Sequence, residues 1–157
     1  KLGDGGETGT DNQIIERTFE RTGVSIMGKR MFELGEAMWP EEAPFHTPVF
    51  VLTHHHRPSF TLDDTTFHFL DATPTEALAV ARDAADGKDV RLGGGVHTVR
   101  EFLDADLVDT MHVAVAPVVL GRGERLWTTA EDLLDRFQLE SVTSPNSGIV
   151  HHLFWRR

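Results

Sequence analysis

Short apolar runs that stop at a glycine or a polar cluster and then pass into helix-like periodicity constrain this chain more than any other feature. Val24-Ser25-Ile26-Met27 ends at Gly28, and a helical segment follows over about Lys29 to Met38, halted by Trp39-Pro40. Val90-Arg91-Leu92 ends at Gly93-Gly94-Gly95 and opens a stripe of Val96, Val99, Phe102 and Leu103. Val49-Phe50-Val51-Leu52 ends at a cluster of Thr53, three histidines and Arg57. Runs this short and this apolar suit strands covered on both sides. Strand and helix alternate to about residue 118, and the chain then finishes as a hairpin of Phe137–Thr143, a turn over 144–148, and Ile149–Trp155. The expected class is α/β: a three-layer, mostly parallel mixed sheet with helices on both faces and a C-terminal antiparallel hairpin at its edge.

The remaining elements follow from caps and stripes. Residues 1–10 read as a loop, because glycines at 3, 5, 6 and 9 leave no apolar period. Asp11 is placed as the N-cap of a helix to about Thr22, with Gly23 closing it at positive φ. Phe67-His68-Phe69 alternates like a brief strand, and Thr73-Pro74 starts a helix striped with Ala77, Leu78, Val80, Ala81, Ala84 and Ala85. Met111 to Leu120 is the longest apolar run and is expected as a central strand. At 157 residues the chain is one domain.

Composition removes whole classes of function. Fifteen basic against twenty-five acidic residues leave a formal charge of −10, which repels nucleic-acid backbones and anionic lipid surfaces. The absence of cysteine excludes disulfides, thiol catalysis and cysteine-ligated iron–sulfur clusters. No run approaches the ~20 apolar residues of a membrane span, and the polar start lacks a secretory apolar region, so a cytoplasmic protein is expected.

Three junctions could carry chemistry. Gly93, Gly94 and Gly95 allow a ligand close to the backbone, and the amides of Val96 and His97 open the helix that follows, an arrangement suited to phosphate. A tight turn with no ligand would use the same glycines. Gly28, Lys29 and Arg30 form the second junction; cations in a first helical turn oppose the macrodipole unless an anion offsets them, although a solvated basic pair is the better reading of these residues taken alone. Thr53, His54 and Arg57 lie at the end of a buried strand, where open α/β sheets bind ligands, and they suit a 2′-phosphate better than a free ribose hydroxyl. A metal on His54-His55-His56 is the rival reading. Neighbouring side chains of an extended chain point to opposite faces, so no metal is assigned. His151-His152 has the same limitation and reads as satisfied or surface histidine.

Taken in order, Met27-Gly28-Lys29-Arg30-Met31-Phe32, Val49 to His54, Val90 to Gly95 and Leu107 to Gly123 resemble the dihydrofolate reductase-like superfamily. They are most similar to the reductase domain at the C-terminal end of riboflavin-biosynthesis deaminase-reductases and its stand-alone relatives. The resemblance implies a dihydrofolate reductase-like fold, NADPH as cofactor, and hydride transfer to a pteridine- or pyrimidine-like ring, such as the phosphoribosylaminouracil intermediate of riboflavin synthesis. It also implies a homodimer. Carried over by position, Gly28, Lys29 and Arg30 lie along the cofactor phosphates. Thr53 and His54 meet the 2′-phosphate, and Gly93, Gly94, Gly95, Val96 and His97 cradle the pyrophosphate. The family's opening strand and its Ser-Leu-Asp-Gly-type segment have no counterpart in the sequence, which leaves the catalytic acid unassigned, and Thr110 stands where relatives carry a second acid. A nucleotide-binding sensor that keeps the cradle without catalysis is the alternative expectation.

Overall fold

The computed structural model describes residues 9–39, 44–127 and 131–157. Its main sheet holds β1 (Thr22–Gly28), β2 (Val49–Leu52), β3 (Phe60–Leu62), β4 (Thr65–Leu70) and β5 (Asp89–Gly94) in the order β3-β4-β2-β1-β5. All neighbours pair in parallel except the edge strand β3, which is antiparallel to β4.

Alternation along the strands feeds two apolar layers. Val24 and Ile26 of β1 and Phe50 of β2 join Ala77, Leu78 and Ala81 of α3 (Pro74–Ala84) and Phe102 of α4 (Val96–Asp104). Met27, Val49, Val51 and Phe67 point the other way, with Phe32 of α2 (Lys29–Glu36). Phe32 makes edge contacts of 5.2–6.1 Å with Trp39, Phe60, Phe67 and Phe69. Such pairs add about 0.5–1.5 kcal/mol each beyond the area they bury. Arg91 lies between Val90 and Leu92 and so faces the opposite side, under Phe19 of α1 (Thr10–Arg21). Helices therefore cover both faces.

A second sheet, β6 (Thr110–Val115), β7 (Phe137–Thr143) and β8 (Val150–Arg156), is antiparallel in the order β6-β8-β7 and contains the expected hairpin. Phe137 and Phe154 pack with Leu103 of α4 and Leu133 of α5 (Glu131–Arg136). Asp106 ties the corner by accepting from Arg136 at 3.2 Å and Arg156 at 2.8 Å, which hold its carboxyl below the usual range.

Four expectations change. α1 begins at Thr10 with Gly9 as its N-cap, because the Asp11 carboxylate is taken by His151. Gly23 belongs to β1 and is needed for space rather than for φ: a Cβ there would lie 2.4 Å from the Ala85 carbonyl oxygen. The run from Met111 is not a central strand. Among the described residues it pairs only with β8, ends at Val115 ahead of Pro117, and leaves Val118, Val119 and Leu120 exposed. The hairpin is not an edge of the main sheet but belongs to a separate one. Of the loop read over 1–10, residues 1–8 lie outside the described residues, as does Pro40.

Candidate functional site

β2, β1 and β5 are adjacent and parallel, so their C-terminal ends share a rim. Gly28 stands opposite Leu52, and Met27 stands opposite Val51 on one side and Gly94 on the other. This register brings together all three predicted junctions: Gly28, Lys29 and Arg30; Thr53 and His54; and Gly93, Gly94, Gly95, Val96 and His97.

The helices that start at this rim differ in how their first turns are satisfied. At α3, the Thr73 hydroxyl accepts from the Glu76 amide at 3.4 Å, and the Glu76 carboxylate accepts from the Thr73 amide at 2.9 Å and its hydroxyl at 2.7 Å. Those bonds hold the Glu76 carboxyl below its usual range. α2 and α4 begin at Gly28 and Gly95, with no side-chain cap and no acid in the first turn. Their leading amides are therefore left to water or to a ligand. Two bare helix starts side by side form an anion-accepting surface.

Glycine serves three purposes here. A Cβ on Gly28 would sit 2.4 Å from the Thr98 hydroxyl, so only glycine lets β1 approach the start of α4. Gly94 holds φ at +120°, which side chains rarely adopt. At Gly95 a Cβ would meet nothing within 4 Å, so the space over the helix start is open.

The charged residues are partly engaged. Lys29 pairs with Glu33 at 3.5 Å, and Arg30 with Glu124 at 3.4 Å. Glu124 belongs to a loop anchored by Arg100, which donates to the carbonyls of Arg125 and Leu126. His54 is exposed, with Nδ1 2.7 Å from Asp71. The Thr53 hydroxyl accepts from the His55 amide at 3.0 Å, and His97 lies 3.5 Å from Glu101. Arg57 does not join the rim. It donates to Glu36 at 3.0 Å and 2.5 Å, with its guanidinium 4.9–5.2 Å from the ring centroids of Phe32, Phe60 and Phe69. Asp71 and Glu124 were not predicted. Asp71 follows Leu70, whose pairing with Leu52 puts Asp71 beside the end of β2, and only the strand order reveals this.

Away from the rim, Asp11, His151 and His112 form a chain: Asp11 lies 2.6 Å from His151 Nε2, and His151 Nδ1 lies 2.9 Å from His112 Nε2. His151 is buried and satisfied, as read, and the half-buried His152 meets Ser141 at 2.8 Å. His46, Asp63 and Asp64 form an exposed group with metal-ligand spacing. No described helix is long and apolar enough to cross a membrane.

Comparison with known proteins gives this geometry a context. The uncharacterized Bacillus subtilis (strain 168) protein YyaP is 34% identical over 70 residues, which is 43% of this chain and spans 36% of that protein's length. A putative riboflavin biosynthesis protein from Shewanella sp. PV-4 superimposes with a TM-score of 0.74 at 19% identity, covering 99% of this chain and 84% of that one. A pyrimidine reductase-like protein from Corynebacterium diphtheriae gives 0.59 at 14% identity, covering 99% and 82%. Enterococcus faecalis dihydrofolate reductase, solved with NADP(H) and RAB-propyl, gives 0.58 at 14% identity, covering 94% and 82%. These likenesses show a dihydrofolate reductase-like fold. The sequence profile of the RibD C-terminal domain matches residues 3–151, nearly the whole chain, and the protein therefore belongs to the RibD C-terminal domain family.

Proposed function

We propose that the protein is an NADPH-dependent reductase acting on a flat pteridine- or pyrimidine-like ring, with the phosphoribosylaminouracil of riboflavin synthesis as the first substrate to try. Family membership supports a reductase-like role. The observation that carries the cofactor assignment is the pair of uncapped helix starts, α2 at Gly28 and α4 at Gly95, on one rim. The residues fit a diphosphate: the amides of Gly95, Val96 and His97 donate to it without competition from a side-chain cap, and the open space at Gly95 admits it. Lys29 and Arg30 exchange their surface carboxylates for phosphate charge. Asp71 fixes the His54 ring through Nδ1, which leaves Nε2 to meet a 2′-phosphate. The nicotinamide supplies the hydride when bound; the protein orients it and excludes water.

Titration with NADPH and with NADH, read by tryptophan fluorescence, tests this. NADPH is expected to bind about tenfold or more tightly, a difference of about 1.4 kcal/mol. Loss of NADPH absorbance with candidate pterins and aminouracils then tests turnover. Equal affinity for both nicotinamides removes the 2′-phosphate contact, and binding without turnover favours a sensor over a reductase.

We also propose a homodimer, supported by the exposed apolar residues Val118, Val119 and Leu120. Sedimentation should give twice the 17.5 kDa chain mass; a single-chain mass at working concentration contradicts it.

A further inference from the structure

α2 has two unlike flanks. Lys29, Glu33 and Glu36 recur at helical spacing on one, and Met31, Leu34 and Met38 on the other, with Met38 in the turn that closes the helix. The charged flank looks toward β4 and β3: Glu36 accepts from Arg57, whose guanidinium lies over the Phe60 and Phe69 rings. The apolar flank looks toward β5, because the Met31 sulfur is 3.0 Å from where a Cβ on Gly94 would stand. Met31, Leu34 and Met38 are 39%, 61% and 78% exposed, so this stripe is open to a ligand. Its charge is one-sided as well. Both cations of α2 stand in the first turn and are engaged by Glu33 and Glu124, whereas Met31 to Trp39 contains two glutamates and no lysine or arginine.

Strand order decides what comes to lie beside this flank. Across β2-β1-β5, the dinucleotide proposed above sets its 2′-phosphate at His54, after β2, and its diphosphate at the starts of α2 and α4. Continued in the same direction, its nicotinamide half passes Gly94 on the side of Met31, and the ring that receives the hydride lies against it. Resting on that cofactor reading, we propose that the Met31, Leu34 and Met38 stripe receives the substituent of the substrate ring, and that this substituent is apolar and carries no phosphate. Methionine and leucine side chains adapt to apolar groups of many shapes. A phosphate laid along them would lose water and gain no cation in return. The ring class proposed above is thereby narrowed to its unphosphorylated members.

Two pairs of probes test this on the NADP+-saturated chain: 6-substituted pterins and 5-substituted aminouracils, each with a butyl chain or a chain of equal length ending in phosphate. Within the pair that binds, the butyl probe is expected to bind about tenfold or more tightly than its phosphate counterpart. With methyl-labelled methionine, the Met31 and Met38 signals should move on binding while that of Met111, on the second sheet, stays. Leu34→Lys changes an exposed side chain and should weaken the butyl probe about tenfold while strengthening the phosphate probe; a merely structural effect would weaken both. Equal or tighter binding of the phosphate probes, no binding of either butyl probe, or unmoved Met31 and Met38 would each overturn the proposal and leave the cofactor reading standing. So would methionine signals that change on dilution without a probe, the sign of a second copy on the stripe. Failure of NADP+ to bind overturns the cofactor reading and this proposal with it.

Discussion

His97 occupies the position where one side chain separates a ligand-binding helix start from an ordinary one. It is exposed in the first turn of α4, four residues before Glu101. His97→Glu gains macrodipole stabilisation of about 0.3–1 kcal/mol and loses about 0.2–0.5 kcal/mol to repulsion from Glu101. Thermal unfolding should therefore stay within about 1 kcal/mol of the parent. If the proposed cradle is right, NADPH affinity should fall tenfold or more, because the new carboxylate would face the pyrophosphate. Unchanged affinity would mean that the amides of Val96 and His97 hold no diphosphate. At this scale the sequence was legible wherever neighbours in the chain decide a residue's role, as with Gly93 to Gly95 ahead of an amphipathic stripe. It was not legible where distant partners decide. Arg57 looked like an anion ligand until Glu36 and three phenylalanine rings were found around it. Gly23 looked like a helix terminator, yet it is demanded by the Ala85 carbonyl.

Among the elements, buried parallel strands were the easiest to read, since a run apolar on both faces has few alternatives in a chain this size. Phe60–Leu62 escaped notice because an edge strand of three residues has no period to detect. The run from Met111 was misassigned for the opposite reason: its apolar length suggested a covered centre, whereas β6 is an edge. The way α1 docks on the second sheet leaves a titration signature. Burial pushes the His112 imidazole below its ordinary 6.5, and repulsion from His151 and Arg91 adds to the shift. Between that lowered value and 6.5 the unfolded chain binds more protons than the folded one, so stability rises with pH through this window and falls as the pH drops through it. Melting temperatures measured from about pH 5 to 7 should climb, and His112→Gln should flatten the climb. A flat parent profile would contradict the burial of His112. Asp11, held low chiefly by hydrogen bonds from Ser147 and His151, adds stability that disappears only as the pH falls below 3.8.

For the molecule as a whole, the parallel order β2-β1-β5 turns three weak local signals into one surface. Each junction alone is an ordinary strand-to-helix turn. Their convergence depends on strand order, which no single segment encodes and which the ordered resemblance to a known family supplied. The split into two sheets was hidden for the same reason, because pairing across β5 and β6 is a property of distant edges. The central claim is that a dinucleotide lies along this rim, and backbone amide chemical shifts followed during an NADPH titration test it most directly. The account predicts perturbations clustered at residues 28–30, 53–54 and 93–97, with the hairpin of β7 and β8 unmoved. Shifts confined to the second sheet, or none at saturating NADPH, would contradict it.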